Sequence, residues 1–398
     1  MREPGAGLVA AQHLPSDAFP CTRFAGYVKI RIGDPDTEEH RVRKSLSSAQ
    51  CVLFLAVLTG ICQAQIRPPV HEADAVISIS PLHGPPRDQL IVVDMTVKKD
   101  GSVGDIDVVT GFYNGEYRTH AVLALGRLHF QPATSDGVPV DFYGYRFVLS
   151  TRKTFMTSTH PAFQSEYAKV GELTQAGNFA AAEAEVQDLI KHRITTVFEY
   201  AFLNEALVPL YMKLDRPYDA LRASRNATLR SGHIETEYFA GTRIKANDTN
   251  WPYFLPKDLL VNALRQRFAV AASLERFGEA DATFNELRSL DELTDDDPVT
   301  VRAKDLERRS GSPEPLLVHG KIEQGEWEFS PTRRLLSIQV APGAIHTVGI
   351  ECRLHKESRR FDAGHDLRLP PPWGACTLRF AGDEGTDIQL QEQFLPRP

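Results

Sequence analysis

Cysteine is sparse and unevenly placed in this chain. Of 5 cysteines in 398 residues, only Cys352 and Cys376 lie beyond residue 64, so at most one pair remains if the leader is removed. Basic charge is not in excess either. The 45 Lys and Arg stand against 52 Asp and Glu, a net charge of −7 with a pI near 6.0. No basic stripe with interleaved aromatics occurs, which excludes nucleic acid as the main partner. The apolar run Cys51–Cys62 falls short of the ~18–20 residues that span a bilayer as a helix. Catalytic signatures are missing as well: there is no Gly-x-Ser-x-Gly, no His-Glu-x-x-His, no Walker loop and no dinucleotide fingerprint. Ser150-x-x-Lys153 has a spacing used by some serine acylases. It stands at a strand exit without the companion Ser-x-Asn or Lys-Thr-Gly elements, and reads as chance. His120 and His129 flank a predicted helix and read as packing or surface residues in preference to a metal pair. The expectation is a protein that is not an enzyme and uses no cofactor or metal.

What is present divides the chain into parts. A hydrophobic content of 42% supports two or three domains with separate cores. Arg41, Arg43 and Lys44 precede Cys51–Cys62, and Gln63-Ala64 follows. That basic, apolar, small-residue order is a secretory signal over 41–64, with cleavage between Ala64 and Gln65. Residues 1–40 then lie outside the mature protein, through a start site placed too early. The alternative is a cytoplasmic tail ahead of an uncleaved anchor. Residues 65–89, with Arg67-Pro-Pro and Gly84-Pro-Pro-Arg, read as a linker.

From Leu90 the pattern becomes regular. Ile91, Val93, Met95 and Val97 alternate with Val92, Asp94, Thr96 and Lys98, the period of a strand with one buried face. Asp100-Gly101 supplies positive φ angles for a hairpin, and Val103 to Thr110 forms the next strand. Ala121, Leu125 and Leu128 fall at i, i+4 and i+7 and give a helix over Glu116–Arg127 one apolar face. Asp136-Gly137 marks a second turn, and Val140 to Leu149 closes a β-β-α-β unit. The strings Asp-Gly-x-Val-x-Asp-Ile-x-Val-Val, starting at Asp100, and Phe-x-Pro-Ala-x-x-Asp-Gly-x-Pro-Val, starting at Phe130, resemble the C-terminal domain of TonB over residues of about 85–150. The resemblance implies a Gram-negative periplasmic protein whose last strand takes an extended peptide as an added strand. The residues matching that strand are Phe142, Tyr143, Gly144, Tyr145, Arg146 and Phe147. The competing reading makes Tyr143, Tyr145 and Phe147 a core-facing set, with the edge covered by the helices that follow.

Those helices occupy 161–308. Ala182, Val186, Leu189 and Ile190 share one face. Ala176-Gly-Asn-Phe-Ala-Ala-Ala182, Leu214-Asp-Arg-Pro-Tyr-Asp-Ala220 and Leu274-Glu-Arg-Phe-Gly-Glu-Ala280 align loosely, each at a helix–helix junction with an alanine at the close crossing. They resemble the turns of tetratricopeptide (TPR) repeats. The 38- and 60-residue spacings exceed the usual period, which places an inserted loop at Tyr238–Pro256. Stacked hairpins of this kind present a concave surface for a peptide or partner protein; a plain helical spacer is the alternative. Asp291 to Pro298 reads as a solvated acidic turn and not a calcium loop.

Residues 315–398 return to strand periodicity in six runs, from Leu316–Lys321 to Asp387–Phe394, and form a small antiparallel β domain. Cys352 and Cys376 are expected to form a disulfide. A zinc site from Cys352, His355, His365 and Cys376 competes, although its gaps fit no common zinc motif. The fold class is thus α+β multidomain: a TonB-C-like β-β-α-β domain at 90–150, TPR-like helical hairpins at 161–308, and a disulfide-bonded β domain. The expected role is a non-catalytic periplasmic adaptor. Its partner is a protein or extended peptide, for example from the periplasm or outer membrane, and it touches the membrane only through its signal or anchor. The alternative is an inner-membrane-anchored, TonB-like energy transducer facing the periplasm, serving transport across the outer membrane. The missing long Pro-rich spacer, and a TonB-like domain at the front of the chain, weigh against it.

Overall fold

The computed structural model describes residues 66–71, 88–151, 159–230, 233–234, 237–239, 242–244, 253–291 and 293–395. Ala64 and Gln65, the expected cleavage pair, lie outside them, as do Lys153 and most of the lead over 65–89. Helices and small sheets mix along the chain, an α+β arrangement.

Strand β3 (Gln89–Val97) sits at the centre of the first sheet. It pairs antiparallel with β4 (Val103–Phe112) on one side and β8 (Phe142–Thr151) on the other. Ile91, Val93, Met95 and Val97 bury against Tyr117, Ala121 and Leu125 of helix α1 (Gly115–Leu125), which Asn114 caps by accepting from Tyr117 N–H. The alternation predicts one buried face, but β3 is buried on both. Leu90 and Val92 join Val148 and Phe112 in the core of the helical region. Asp94 escapes that burial and is only partly covered.

The two turns differ. At Asp100-Gly101 only Gly101 takes a positive φ, 86°, and a side chain there would collide with the Phe130 carbonyl oxygen. Asp100 instead accepts from Ser102 N–H (3.0 Å) and Oγ (2.7 Å), and this hydrogen bonding holds its carboxyl below the usual range. At Asp136-Gly137 both residues are left-handed, φ 52° and 83°, the geometry of a two-residue hairpin. That turn joins β6 (Ala133–Ser135) to β7 (Val138–Val140).

The lead is not all linker. Its β1 (Ile66–Arg67) pairs with β6, and its β2 (Val70–His71) pairs with β5 (Phe130–Gln131). The His71 ring packs 5.3 Å from Phe130 and 5.8 Å from Phe147, so these residues belong to the first module. Their strands are two residues long, too short to register as alternation.

Three helical hairpins follow: α2 (Pro161–Gln175) with α3 (Phe179–Asp188), α4 (Val197–Lys213) with α5 (Pro217–Ala227), and α6 (Lys257–Ser273) with α7 (Phe277–Leu290). Helix α8 (Pro298–Gly311) ends the stack, capped by Asp297, which also pairs with Arg265 at 3.0 Å. The hairpin turns are built alike. Gly177, Asp215 and Glu275 each take a left-handed φ of 75°, 55° and 55°. The next residue, Asn178, Arg216 or Arg276, donates its N–H back five positions at 2.9 Å, which satisfies a carbonyl at the helix end. Ala182, Ala220 and Ala280 are completely buried where the paired helices cross. The long second spacing is an insertion between α5 and α6. It holds β9 (His233–Ile234) and the hairpin β10 (Glu237–Phe239) with β11 (Thr242–Ile244).

The first sheet is joined to these helices at the start of α4. Asp88 N–H donates to the Thr195 carbonyl (2.9 Å), and Asp88 Oδ2 accepts from Val197 N–H (3.1 Å). Glu199, fully buried, accepts from the N–H groups of Thr195, Thr196 and His160. Backbone donors that would otherwise be orphaned at a helix start are thereby matched to carboxylates.

The last module is two four-stranded antiparallel sheets packed face to face. One runs β12 (Leu316–Lys321), β19 (Asp387–Gln393), β14 (Leu335–Val340), β17 (Leu367–Arg368); the other runs β13 (Glu326–Phe329), β18 (Cys376–Gly382), β15 (Ile345–Cys352), β16 (His355–Arg360). Val318, Leu336 and Leu390 of the first meet Trp327, Val348 and Phe380 of the second in one core. Besides the two-residue β17, strand β16 is an addition to the six expected. Its sequence His-Lys-Glu-Ser-Arg-Arg carries no apolar alternation, because its residues line a charged edge. No helix of the described residues is long and apolar enough to cross a membrane.

Candidate functional site

The six residues singled out on β8 lie side by side but divide between two faces. Phe147, buried, and Tyr145, half-buried, turn toward α1, where Tyr145 packs edge-on to Phe130 at 5.4 Å. Burial there pushes the Tyr145 phenol up. Arg146 turns to the other face and forks onto Asp94, with Nε at 2.9 Å and Nη2 at 2.8 Å. Those hydrogen bonds raise the guanidinium above its usual value. Of the core-facing set, Phe147 is core and Tyr145 packs partly buried against it.

The strand's outer edge is covered at both ends. Near its C-terminus, Leu149 and Ser150 pair in parallel with His233 and Ile234 of β9, which returns from the helical insertion. Near its N-terminus the strand bulges between Phe142 and Tyr145 opposite β3, with Gly144 at φ 62°. There Tyr143 N–H donates to the Arg353 carbonyl (2.9 Å), and the Arg353 guanidinium donates to the Gly144 carbonyl (2.7 Å) and lies over the Phe142 ring. A Cβ on Gly144 would come within 2.8 Å of Glu351 Oε1, so only glycine fits this approach. Between these ends, Tyr145–Val148 pair with β3 on the strand's inner side.

Arg146 lies within electrostatic reach of a cluster of arginines from the other two modules. Arg225 of α5 forks onto Glu279 of α7 at 2.8 and 2.6 Å and stands 3.6 Å from Glu328 of β13. Arg379 of β18 stands 3.7 Å from the same Glu328, and Arg267 of α6 is 3.1 Å from Glu279. Burial pushes the Glu279 carboxyl up, but Arg225 and Arg267 outweigh it and hold the group well below the usual carboxylate range. Arg276, buried at an α6–α7 turn, donates to the Glu328 carbonyl and stacks over Tyr218. Sequence reasoning missed Arg225, Arg353 and Arg379, single arginines scattered over two modules.

The remaining candidates resolve as follows. Cys352 and Cys376 oppose each other on β15 and β18 with their sulfurs 2.01 Å apart, a disulfide. Both thiols of the competing zinc set are used by that bond; His355 stacks on Trp373 at 3.7 Å and His365 pairs with Asp362 at 2.9 Å. Ser150 is completely buried. His129 lies against Gly101, opposite Ser102. A surface hollow of about 620 Å³ lies between the α6–α7 turn and the start of β12, where Arg309 and Glu275 pair with each other. No protein-family model matches this chain, and no curated protein matches it.

Proposed function

We propose that the protein is a non-catalytic periplasmic adaptor that binds an extended peptide segment of a partner protein along β8. The observation carrying this reading is that the outer edge of β8 takes added backbone: β9 at Leu149 and Ser150, and the Arg353 carbonyl at Tyr143. Free N–H and C=O groups on a strand edge take an added strand through main-chain hydrogen bonds. This chain already uses the same strand that way, since β9 adds to Leu149 and Ser150. The resemblance of residues 85–150 to the TonB C-terminal domain supports the reading, and so does a disulfide, which persists in oxidising compartments. The helical hairpins and the β sandwich serve as scaffold on either side of the edge.

The test is a pull-down from periplasm with the full chain and with Tyr145→Pro, which interrupts the ladder on that strand. The expected result is loss of the partner with circular dichroism and melting retained. An unchanged partner set overturns the proposal.

A further inference from the structure

The sheet that contains β8 has a second edge. Its strand order is β4, β3, β8, β9, so β4 pairs with β3 on one side and, among the described residues, with no strand on the other. No residue from Val103 to Phe112 makes a backbone hydrogen bond outside that pairing among the described residues. We propose that β4 docks a short extended basic segment of a partner protein, with Lys or Arg at alternate positions and apolar residues between them. This is a separate site from β8, two strands away, and does not rest on peptide binding there. A free strand edge presents a row of N–H and C=O groups that an added strand can satisfy. The side chains beside those groups sort by face. Ile106 and Val108 stand opposite Met95 and Val93 and pack, half-buried, with Val122 on the α1 side. Asp107 stands opposite Asp94 on the other side, and Lys356 of β16 is 3.9 Å from both Asp105 and Asp107, which places those two carboxylates together. They are 75% and 55% exposed, and Lys356 is the one cation near them among the described residues. It stands beyond hydrogen-bonding distance of either and closer, at 3.4 Å, to Glu351. Three carboxylates therefore share one ammonium.

An added strand sets its side chains about 5 Å from their neighbours on β4. Those on one face meet Asp105 and Asp107, and those on the other meet Ile106 and Val108. The ladder to β3 shifts register on either side of Ile106–Val108, so the contact centres there and the bound segment is short. A second copy of this chain does not fit the edge. It would bring one acidic strand against another, and like charges directly opposite destabilise a ladder. The same carboxylates repel nucleic acid. A basic segment neutralises them and pairs the backbone, so it satisfies both parts of the site.

The experiment titrates the full oxidised chain into fluorescein-labelled hexapeptides and reads anisotropy. The probes are alternating Lys-Val, the same residues in two blocks, alternating Glu-Val, and alternating Lys-Val with the backbone N-methylated at every second residue. Expected is binding of the alternating Lys-Val peptide alone, weakened by salt. Asp105→Asn or Asp107→Asn should each weaken it about fivefold, the upper range for an exposed ion pair. Both substitutions fall on exposed side chains, and circular dichroism confirms that the fold is kept. Equal binding of the block or the N-methylated peptide reduces the contact to charge attraction without strand addition and overturns the proposal. Absence of binding overturns it, and so does binding of the Glu-Val peptide. Binding that survives both Asn variants but is lost with Tyr145→Pro belongs to β8 and overturns it too. A chain that sediments as a dimer, and takes the peptide only on dissociating, puts a second copy on the edge and overturns it in that way.

Discussion

Arginine joins the modules of this protein in two places, and it does so in two different ways. At the junction of helices and sandwich, Arg333 is 2% exposed and reaches the last turn of α8. Its terminal nitrogens donate to the carbonyls of Ser310 (3.2 Å), Ser312 (2.7 Å) and Glu314, and the guanidinium lies 4.3 Å over Phe394. Its own N–H donates to Glu392 at 2.7 Å. Fixed carbonyls surround the cation, so it can do little except hold the end of a helix. At β8, by contrast, Arg146, Arg225 and Arg353 reach solvent, and Arg146 and Arg225 are forked onto the carboxylates of Asp94 and Glu279. The first arrangement is specific and closed; the second is polar and open. Burial and the kind of acceptor, not residue type, separate a structural arginine from an available one.

The widest separation of the two should appear in stability. Arg333→Met removes donors from buried carbonyls at a helix end and should cost about 3–5 kcal/mol, the range for breaking a buried charged network. Urea denaturation measures it, and a loss below that of an exposed arginine would erase the contrast. Next in size is the disulfide. Cys352 and Cys376 close a loop of 24 residues' separation. In the chain-entropy model, Cys352→Ala with Cys376→Ala should lower stability by about 3.5 kcal/mol. Comparing the oxidised and reduced parent gives an independent value. If neither treatment shifts the midpoint, the sandwich is held by its core alone.

How much of this could be read beforehand follows from where each signal is stored. Strands β3, β4 and β8 and helix α1 declare themselves because their periodicity is local. The three hairpin turns do so because Gly177, Asp215 and Glu275 sit at the same place in each aligned segment. The second buried face of β3 is invisible in its own residues, since the helices that cover it come about a hundred positions later. The site was half legible. Phe142–Phe147 can be found from a resemblance, yet what bounds the usable edge cannot. Arg353 comes from a turn 209 residues away and β9 from a two-residue strand, and neither has a pattern. Strand β16 was missed because the property that protects its edge, charge, also removes the alternation.

The closed junction also predicts a loss of stability as pH rises toward neutrality. Burial pushes the Glu392 carboxyl up to about 7, against the opposing hydrogen bonds from Thr332 and Arg333 N–H. The folded state therefore binds this proton more tightly than the unfolded chain, whose Glu titrates near 4.5. Where the folded state holds the extra proton, stability falls as pH rises. Below about pH 4.5 the contribution is fully present; it is lost between there and about pH 7, and the curve is flat above. A loss of about 3 kcal/mol across the window is expected. Glu392→Gln keeps an oxygen to accept from the two N–H groups and removes the titration. Its stability should be level between pH 5 and 7, and a slope equal to the parent's would place the titrating group elsewhere.

The smallest stability effect belongs to Arg146, and it sharpens the comparison most. Its pair with Asp94 is geometrically good but half exposed, and pairs of that kind contribute about 0–1 kcal/mol. Arg146→Gln should therefore cost about 1 kcal/mol in urea denaturation, since the Asp94 side chain left without its cation is only 11% exposed. A stability loss comparable to that of Arg333→Met would mean that Arg146 is a second structural arginine and that the two junctions do the same work.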